Sequence, residues 1–180
     1  MIYILYGQPA SGKTTLAKLL AEELDTPFII DGDEFRQMFS NNNYGKEGRE
    51  ENIRNANAVA TYLNKKTITG PWKAIYIDVI NGWDSRPVNP NTPVIMSLVN
   101  PYLHLREELK ANNPDQVVDI FLNSRRELRK EFHVKDFEKG NPSCVVNTDR
   151  PVEDSWDYLK IILDLRSIVL VNIYLSSLTL

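Results

Sequence analysis

The segment GQPASGKT, Gly7 to Thr14, sets two glycines ahead of a lysine and a threonine in the full G-x-x-x-x-G-K-[ST] pattern. Glycine at 7 and 12 permits a tight loop whose backbone N–H groups turn toward phosphate oxygens, and a following helix adds its positive N-terminal end. In that arrangement Lys13 reaches the β and γ phosphates and Thr14 offers its hydroxyl to Mg²⁺. The expected nucleotide ligands are therefore Gly7, Gln8, Pro9, Ala10, Ser11, Gly12, Lys13, Thr14 and the adjoining Thr15, with Lys13 taking part in the chemistry and Thr14 holding the metal.

A second group follows in IIDGDEFR, Ile29 to Arg36. It puts two carboxylates at the C-terminal end of an expected strand, where ligands of parallel α/β sheets gather. Asp33 is the one assigned to chemistry, ordering Mg²⁺ waters or accepting the proton of an attacking hydroxyl, while Arg36 holds an anion. The competing reading is that Asp31 and Asp33 only cap the next helix and Arg36 is solvated. A third group lies in YGKEGREENIRNANAVA, Tyr44 to Ala60. Arg49 and Asn52, three residues apart, share a helix face, whereas Arg54 lies about 160° from Asn52 and serves a different partner. Arginine and asparagine beside the aromatic Tyr44 suit a nucleotide-like anion, held by bidentate contacts and a stacking face. A solvated charged helix face is the alternative.

The elements that must position these groups can be read from periodicity. Strands are expected at Ile2 to Tyr6, Pro27 to Ile30, Val94 to Val99, Val117 to Leu122 and Cys144 to Val146, where β-branched and apolar residues cluster. Helices are expected at Thr14 to Leu24, Glu34 to Phe39, Glu50 to Lys65, Leu103 to Lys110, Arg125 to Phe132 and Val152 to Leu165. Strand and helix alternate, which predicts an α/β three-layer sandwich with a mostly parallel sheet and helices on both faces. Residues 1–180 read as a single domain. Within it, 67–93 forms a hairpin or long loop inserted at the periphery, built around the alternating run Ala74 to Ile80. The apolar stretch 167–180 is an atypical tail, shorter than the roughly 20 residues a membrane helix needs.

Composition narrows the function classes. With 180 residues, 42% hydrophobic, 25% charged and a formal net charge of -3, the chain has no basic field for nucleic acid or an anionic membrane. Its single cysteine, Cys144, forms no intramolecular disulfide and fits a buried strand position, and the N-terminus has no signal-peptide pattern, so a cytoplasmic location is expected. His104 and His133 lie far apart without ligand spacing and are left out of the chemistry. No N-K-x-D or D-x-x-G signature of a GTPase occurs, which favours a kinase using ATP and Mg²⁺ over a switch NTPase.

Taken in order, GQPASGKTTLAKLL, IIDGDEFR, YGKEGREENIRNANAVA, SLVNPYLHLRE and VVNTDRPVED resemble the adenylylsulfate kinases. The resemblance spans about Ile2 to Leu165, apart from 67–93. It implies a P-loop kinase that transfers the γ-phosphoryl of ATP to the 3'-hydroxyl of adenosine 5'-phosphosulfate. It further implies a catalytic Asp33, which also contacts the acceptor, and acceptor ligands Arg36, Arg49 and Asn52, with Tyr44 beside the adenine and Asn100 and Pro101 in the acceptor wall. It allows a homodimer. The chain departs from the family at three places. Asn100 and Leu103 replace the serine and arginine of S-P-[FY]-R, Gly48 replaces the aspartate before Arg49, and the basic lid is reduced to RKEFHVKDFEKGNP, with Arg126, Arg129, Lys130 and Lys135 expected to substitute for it in part, Arg126 and Arg129 as nucleotide ligands. The alternatives are a kinase for another small nucleotide-like or anionic hydroxyl acceptor, or a non-kinase regulatory NTP-binding protein.

Overall fold

The computed structural model describes residues 1–68, 78–79, 82–83, 92–126 and 128–165. Strand β1 (Ile2–Tyr6) is buried along almost its whole length and lies parallel between β5 (Val94–Leu98) and β6 (Val117–Asn123). The outer positions belong to β2 (Ile29–Asp31), beside β5, and β7 (Cys144–Asn147), beside β6. All five strands are parallel, in the order β2-β5-β1-β6-β7. Parallel strands carry helices on both faces, so their sequences are continuous apolar runs, as in VIMSL and IYILY.

Side chains of each strand alternate between two cores. On one face, Ile4, Tyr6, Met96 and Ile30 pack with Phe35, Ala56, Ala60 and Leu109, which come from α2 (Gly32–Met38), α3 (Lys46–Ile68) and α4 (Leu103–Asn112). On the other, Leu5, Ile95, Ile120 and Val146 pack with Leu16, Ala17, Leu20 and Leu159 of α1 (Lys13–Glu23) and α5 (Val152–Ile162). Each buried aliphatic side chain contributes about 1.5–3 kcal/mol. The expected three-layer α/β sandwich is what these contacts build. Cys144 is buried in β7, and burial, with a smaller effect of Asp119, pushes its thiol up to about 11.

Two expectations change. Helix α3 starts at Lys46, one turn before the periodic apolar pattern, so Arg49 and Asn52 sit inside the helix. In place of the predicted helix Arg125 to Phe132, residues 124–126 are irregular and a turn at 128–129 with a left-handed Arg129 (φ 55°) leads into a short 3-10 segment, Lys130–Phe132. The cause is local competition for backbone donors. Asp149 accepts from Arg125 N (2.8 Å) and from the Ser124 hydroxyl (3.1 Å), and Ser124 Oγ accepts from Arg126 N (3.2 Å).

Within 67–93, β3 (Asp78–Val79) and β4 (Gly82–Trp83) pair antiparallel as a separate two-stranded sheet. The rest of the expected alternating run lies outside the described residues, as does the apolar tail 167–180. Among the described residues no helix is long and apolar enough to cross a membrane.

Candidate active site

The loop after β1 takes the shape its glycines permit. A side chain at Gly7 would place a Cβ 2.6 Å from Leu122 O, and Gly12, at φ 85°, turns the chain into α1 through the left-handed region. Ala10 is also left-handed, at φ 62°. Lys13, in the first turn of α1, donates from Nζ to Gln8 O at 2.8 Å and lies 3.4 Å from Ser11 Oγ. Burial pulls its ammonium down to about 8, outweighing the upward pull of Asp33 and Asp31. Ser11 is buried. The Gln8 side chain spans elsewhere: Nε2 donates to Val134 O and Oε1 accepts from Val134 N, both at 2.9 Å. It ties the 130s segment to the phosphate loop.

Three oxygens converge at the foot of α1. Thr14 Oγ1 donates to Asp31 Oδ2 at 2.8 Å and lies 3.4 Å from Ser97 Oγ. The strand register puts Asp31 and Ser97 side by side at the ends of β2 and β5. Carboxylate and hydroxyl oxygens are the donors a hard divalent cation takes, so this set fits Mg²⁺. Asp31 Oδ1 also accepts from Asp33 N at 3.0 Å and caps α2. The capping and chemical readings of the acidic turn are thus divided between its two carboxylates, with Asp33 exposed to the cavity. Ser97 was not foreseen, although a lone hydroxyl in the apolar strand VIMSL is a visible signal.

Opposite stands a wall built by α2, α3 and the turn between them. Arg36 is buried, which lowers its pKa, and its Nη1 donates to Asn43 O (2.9 Å), Asn41 Oδ1 (3.2 Å) and Asn41 O (3.4 Å). Its guanidinium lies 4.6 Å from the centre of the exposed Tyr44 ring. Arg49 Nε donates to Tyr44 O at 2.7 Å. Arg54 pairs with Glu50 at 3.2 Å, away from this group as its spacing requires. Asn52 is buried, with Nδ2 3.3 Å from Gly32 O and Oδ1 without a partner among the described residues.

Gly48 explains how the turn closes. A Cβ there would meet Asn43 O at 2.1 Å, so the 41–45 turn lies directly on α3. Gly48→Ala is expected to overpack this contact by about 1–3 kcal/mol. It should lower the melting temperature and weaken acceptor binding through Tyr44 and Arg36, checked by thermal melting and acceptor titration. An unchanged melting temperature would contradict the close contact.

Both walls face one cavity of about 580 Å³. Pro9, Ala10, Gly12, Lys13, Thr14 and Thr15 line one side, and Asp31, Asp33, Arg36, Tyr44, Arg49 and Asn52 the other. Ser97, Asn100 and Pro101 close the floor, and Arg129 and the exposed Phe132 border it. Phe132 carried no signal in the sequence. Gly7, Gln8 and Ser11 support the loop without lining the cavity, and Arg126 Nη2 donates to Arg150 O (3.1 Å) outside it.

Residues 6–69 match a model of the AAA domain. No curated protein matches the chain. Among solved structures it is similar to the Mycobacterium tuberculosis APS kinase determined in complex with AMPPNP and APS, with 16% identity over 91% of this chain and 96% of that one, and a TM-score of 0.65. A gluconokinase from Sinorhizobium meliloti 1021 aligns with 14% identity over 97% and 96% of the two chains at a TM-score of 0.55. Shikimate kinase from Aquifex aeolicus aligns with 17% identity over 93% and 99% at 0.56. With its phosphate loop at the end of the central strand of an all-parallel sheet, the chain has the three-layer α/β fold of the P-loop NTPases.

Proposed function

We propose that the protein is an ATP-dependent kinase that phosphorylates a hydroxyl of a small anionic acceptor, with the 3'-hydroxyl of adenosine 5'-phosphosulfate as its substrate. The observation that carries this reading is the single cavity shared by the phosphate loop on one side and by Asp33, Arg36, Arg49 and Asn52 on the other. A hydrolytic switch has no need of a second, cationic wall; a phosphotransferase must bring two substrates into line.

In this account the backbone of the loop and Lys13 hold the β and γ phosphates of ATP. Thr14 and Asp31, beside Ser97, would hold Mg²⁺, which would supply charge neutralisation to the phosphates. Asp33 accepts the proton of the acceptor hydroxyl as its oxygen forms a bond to the γ phosphorus. The bond from that phosphorus to the β,γ-bridging oxygen breaks, and ADP leaves with the electron pair. Arg36 and Arg49 hold the acceptor's anionic group, leaving phosphorylated acceptor and ADP as products.

The test is ADP release with and without adenosine 5'-phosphosulfate, in the parent protein and in Arg49→Ala. Adenosine 5'-phosphosulfate should stimulate release, and Arg49→Ala should raise its KM roughly tenfold or more, the loss of one charge-assisted contact, with ATP affinity retained. Silence toward this acceptor with a response to another anionic alcohol would move the reading to that acceptor. No response to any acceptor would favour a regulatory NTP-binding protein.

A further inference from the structure

Four residues carry buried side-chain polar atoms without hydrogen-bond partners among the described residues: Asn52, Asn57, Asn100 and Arg106. Only Asn52 and Asn100 line the cavity. Asn100 is 1% exposed, yet among the described residues neither its Oδ1 nor its Nδ2 has a partner. Buried amides are normally paired, because an unmatched donor or acceptor forfeits its hydration without return.

Asn100 is also held in place. Its backbone is left-handed, at φ 41°, a conformation asparagine tolerates better than most residues. Its carbonyl accepts from Nη1 of Arg106, a fully buried residue whose guanidinium lies 4.2 Å from the centre of the Tyr6 ring. The preceding residue, Val99, accepts through its carbonyl from Gly7 N at 3.4 Å. Asn100 therefore stands where the phosphate loop begins, in the lining of the shared cavity.

On the kinase reading above, we infer that Asn100 is a specificity-determining residue that binds two adjacent hydroxyls of the acceptor, so that the substrate class is a polyhydroxylated anion. One amide offers a donor and an acceptor side by side, and two neighbouring hydroxyls return one of each. Asn52 Oδ1, whose amide nitrogen is engaged by Gly32 O, asks for a further O–H. A phosphate, sulfate or carboxylate brings only acceptors and would leave both amide oxygens unmatched. The anionic group accordingly goes to Arg36 and Arg49, and the hydroxyl-bearing part goes to the buried floor.

The experiment measures acceptor-stimulated ADP release with adenosine 5'-phosphosulfate, D-gluconate and shikimate, each an anion with adjacent hydroxyls, and with 3-hydroxybutyrate, an anion with one. It uses the parent protein, Asn100→Gly, which suits the left-handed backbone, and Asn100→Asp, which keeps the size and removes the donor; thermal melting checks that each folds. One of the three polyhydroxylated anions should be used. Both variants should raise its KM roughly tenfold or more, the effect of stranding a buried polar group, with a smaller change in kcat. An effect seen with D-gluconate or shikimate alone supports the inference and rejects adenosine 5'-phosphosulfate as substrate. Use of adenosine 5'-phosphosulfate with an unchanged KM in folded variants overturns the inference and leaves that substrate standing. A response to 3-hydroxybutyrate alone overturns it too, and silence with all four overturns it together with the kinase reading.

Discussion

Replacing Lys13 by alanine should lower phosphoryl transfer by roughly 10²–10³-fold or more, the usual cost of removing one preorganised group from developing charge. Lys13 lies in the first turn of α1 with its ammonium drawn to Gln8 O at 2.8 Å, inside the loop that would wrap a triphosphate. Its charge also makes the effect pH-dependent. Burial lowers its pKa to about 8, and only the protonated form attracts phosphate. Bound triphosphate restores the ordinary lysine affinity for the proton, so binding above that pH takes up a proton. ATP affinity should be flat below about 8 and then fall by roughly tenfold per pH unit, the slope for one linked proton. Lys13→Arg, cationic throughout, should remove that slope. ATP titrations from neutral to alkaline pH check this, and parent-like turnover in Lys13→Ala would refute the assignment of the loop.

Asp33→Asn should reduce kcat by roughly 10²–10⁴-fold, the range lost with a positioned general base. The substitution keeps shape and removes the proton acceptor. ATP binding should persist, because the oxygen set at the foot of α1 is made by Thr14, Asp31 and Ser97. Asp31→Asn provides the contrast. Asp31 holds Thr14 through one oxygen and the start of α2 through the other, so its loss should weaken nucleotide binding and stability together. Steady-state kinetics with ATP titration separates the two carboxylates. Equal loss of ATP affinity in both variants would contradict the division of roles.

The elements behind these proposed roles are legible in the sequence to different depths. The phosphate loop declares itself because its constraints are local: glycine at 7 and 12, then Lys13 and Thr14 at fixed spacing. The sheet is legible for a related reason, since a strand buried on both faces must be apolar throughout. The pairing of Arg49 with Asn52 follows from helical spacing alone. What the sequence hides depends on distant partners. The expected helix at Arg125 is undone by Asp149, which reaches the chain from beyond β7. Gln8 reads as a loop ligand, yet its amide is committed to Val134, on a segment whose approach no local pattern announces. Arg36 reads as an open anion site, whereas Nη1 is shared among carbonyl oxygens of the following turn, a turn that closes only because residue 48 has no side chain.

The departure at Asn100 takes its meaning from the same packing. As a letter it replaces a serine of the resembling family. In the fold it is a buried residue of the cavity lining, its backbone carbonyl held by Arg106 and both polar ends of its amide unmatched among the described residues.

The proposed reaction requires two substrates to meet in one cavity, and following the terminal phosphate tests that most directly. The protein is incubated with ATP labelled in the γ-phosphoryl group and with adenosine 5'-phosphosulfate, and the products are separated. Label is expected in the 3'-phosphorylated acceptor, formed in step with ADP and abolished in Lys13→Ala. Label found only in inorganic phosphate, at a rate indifferent to the acceptor, would contradict it.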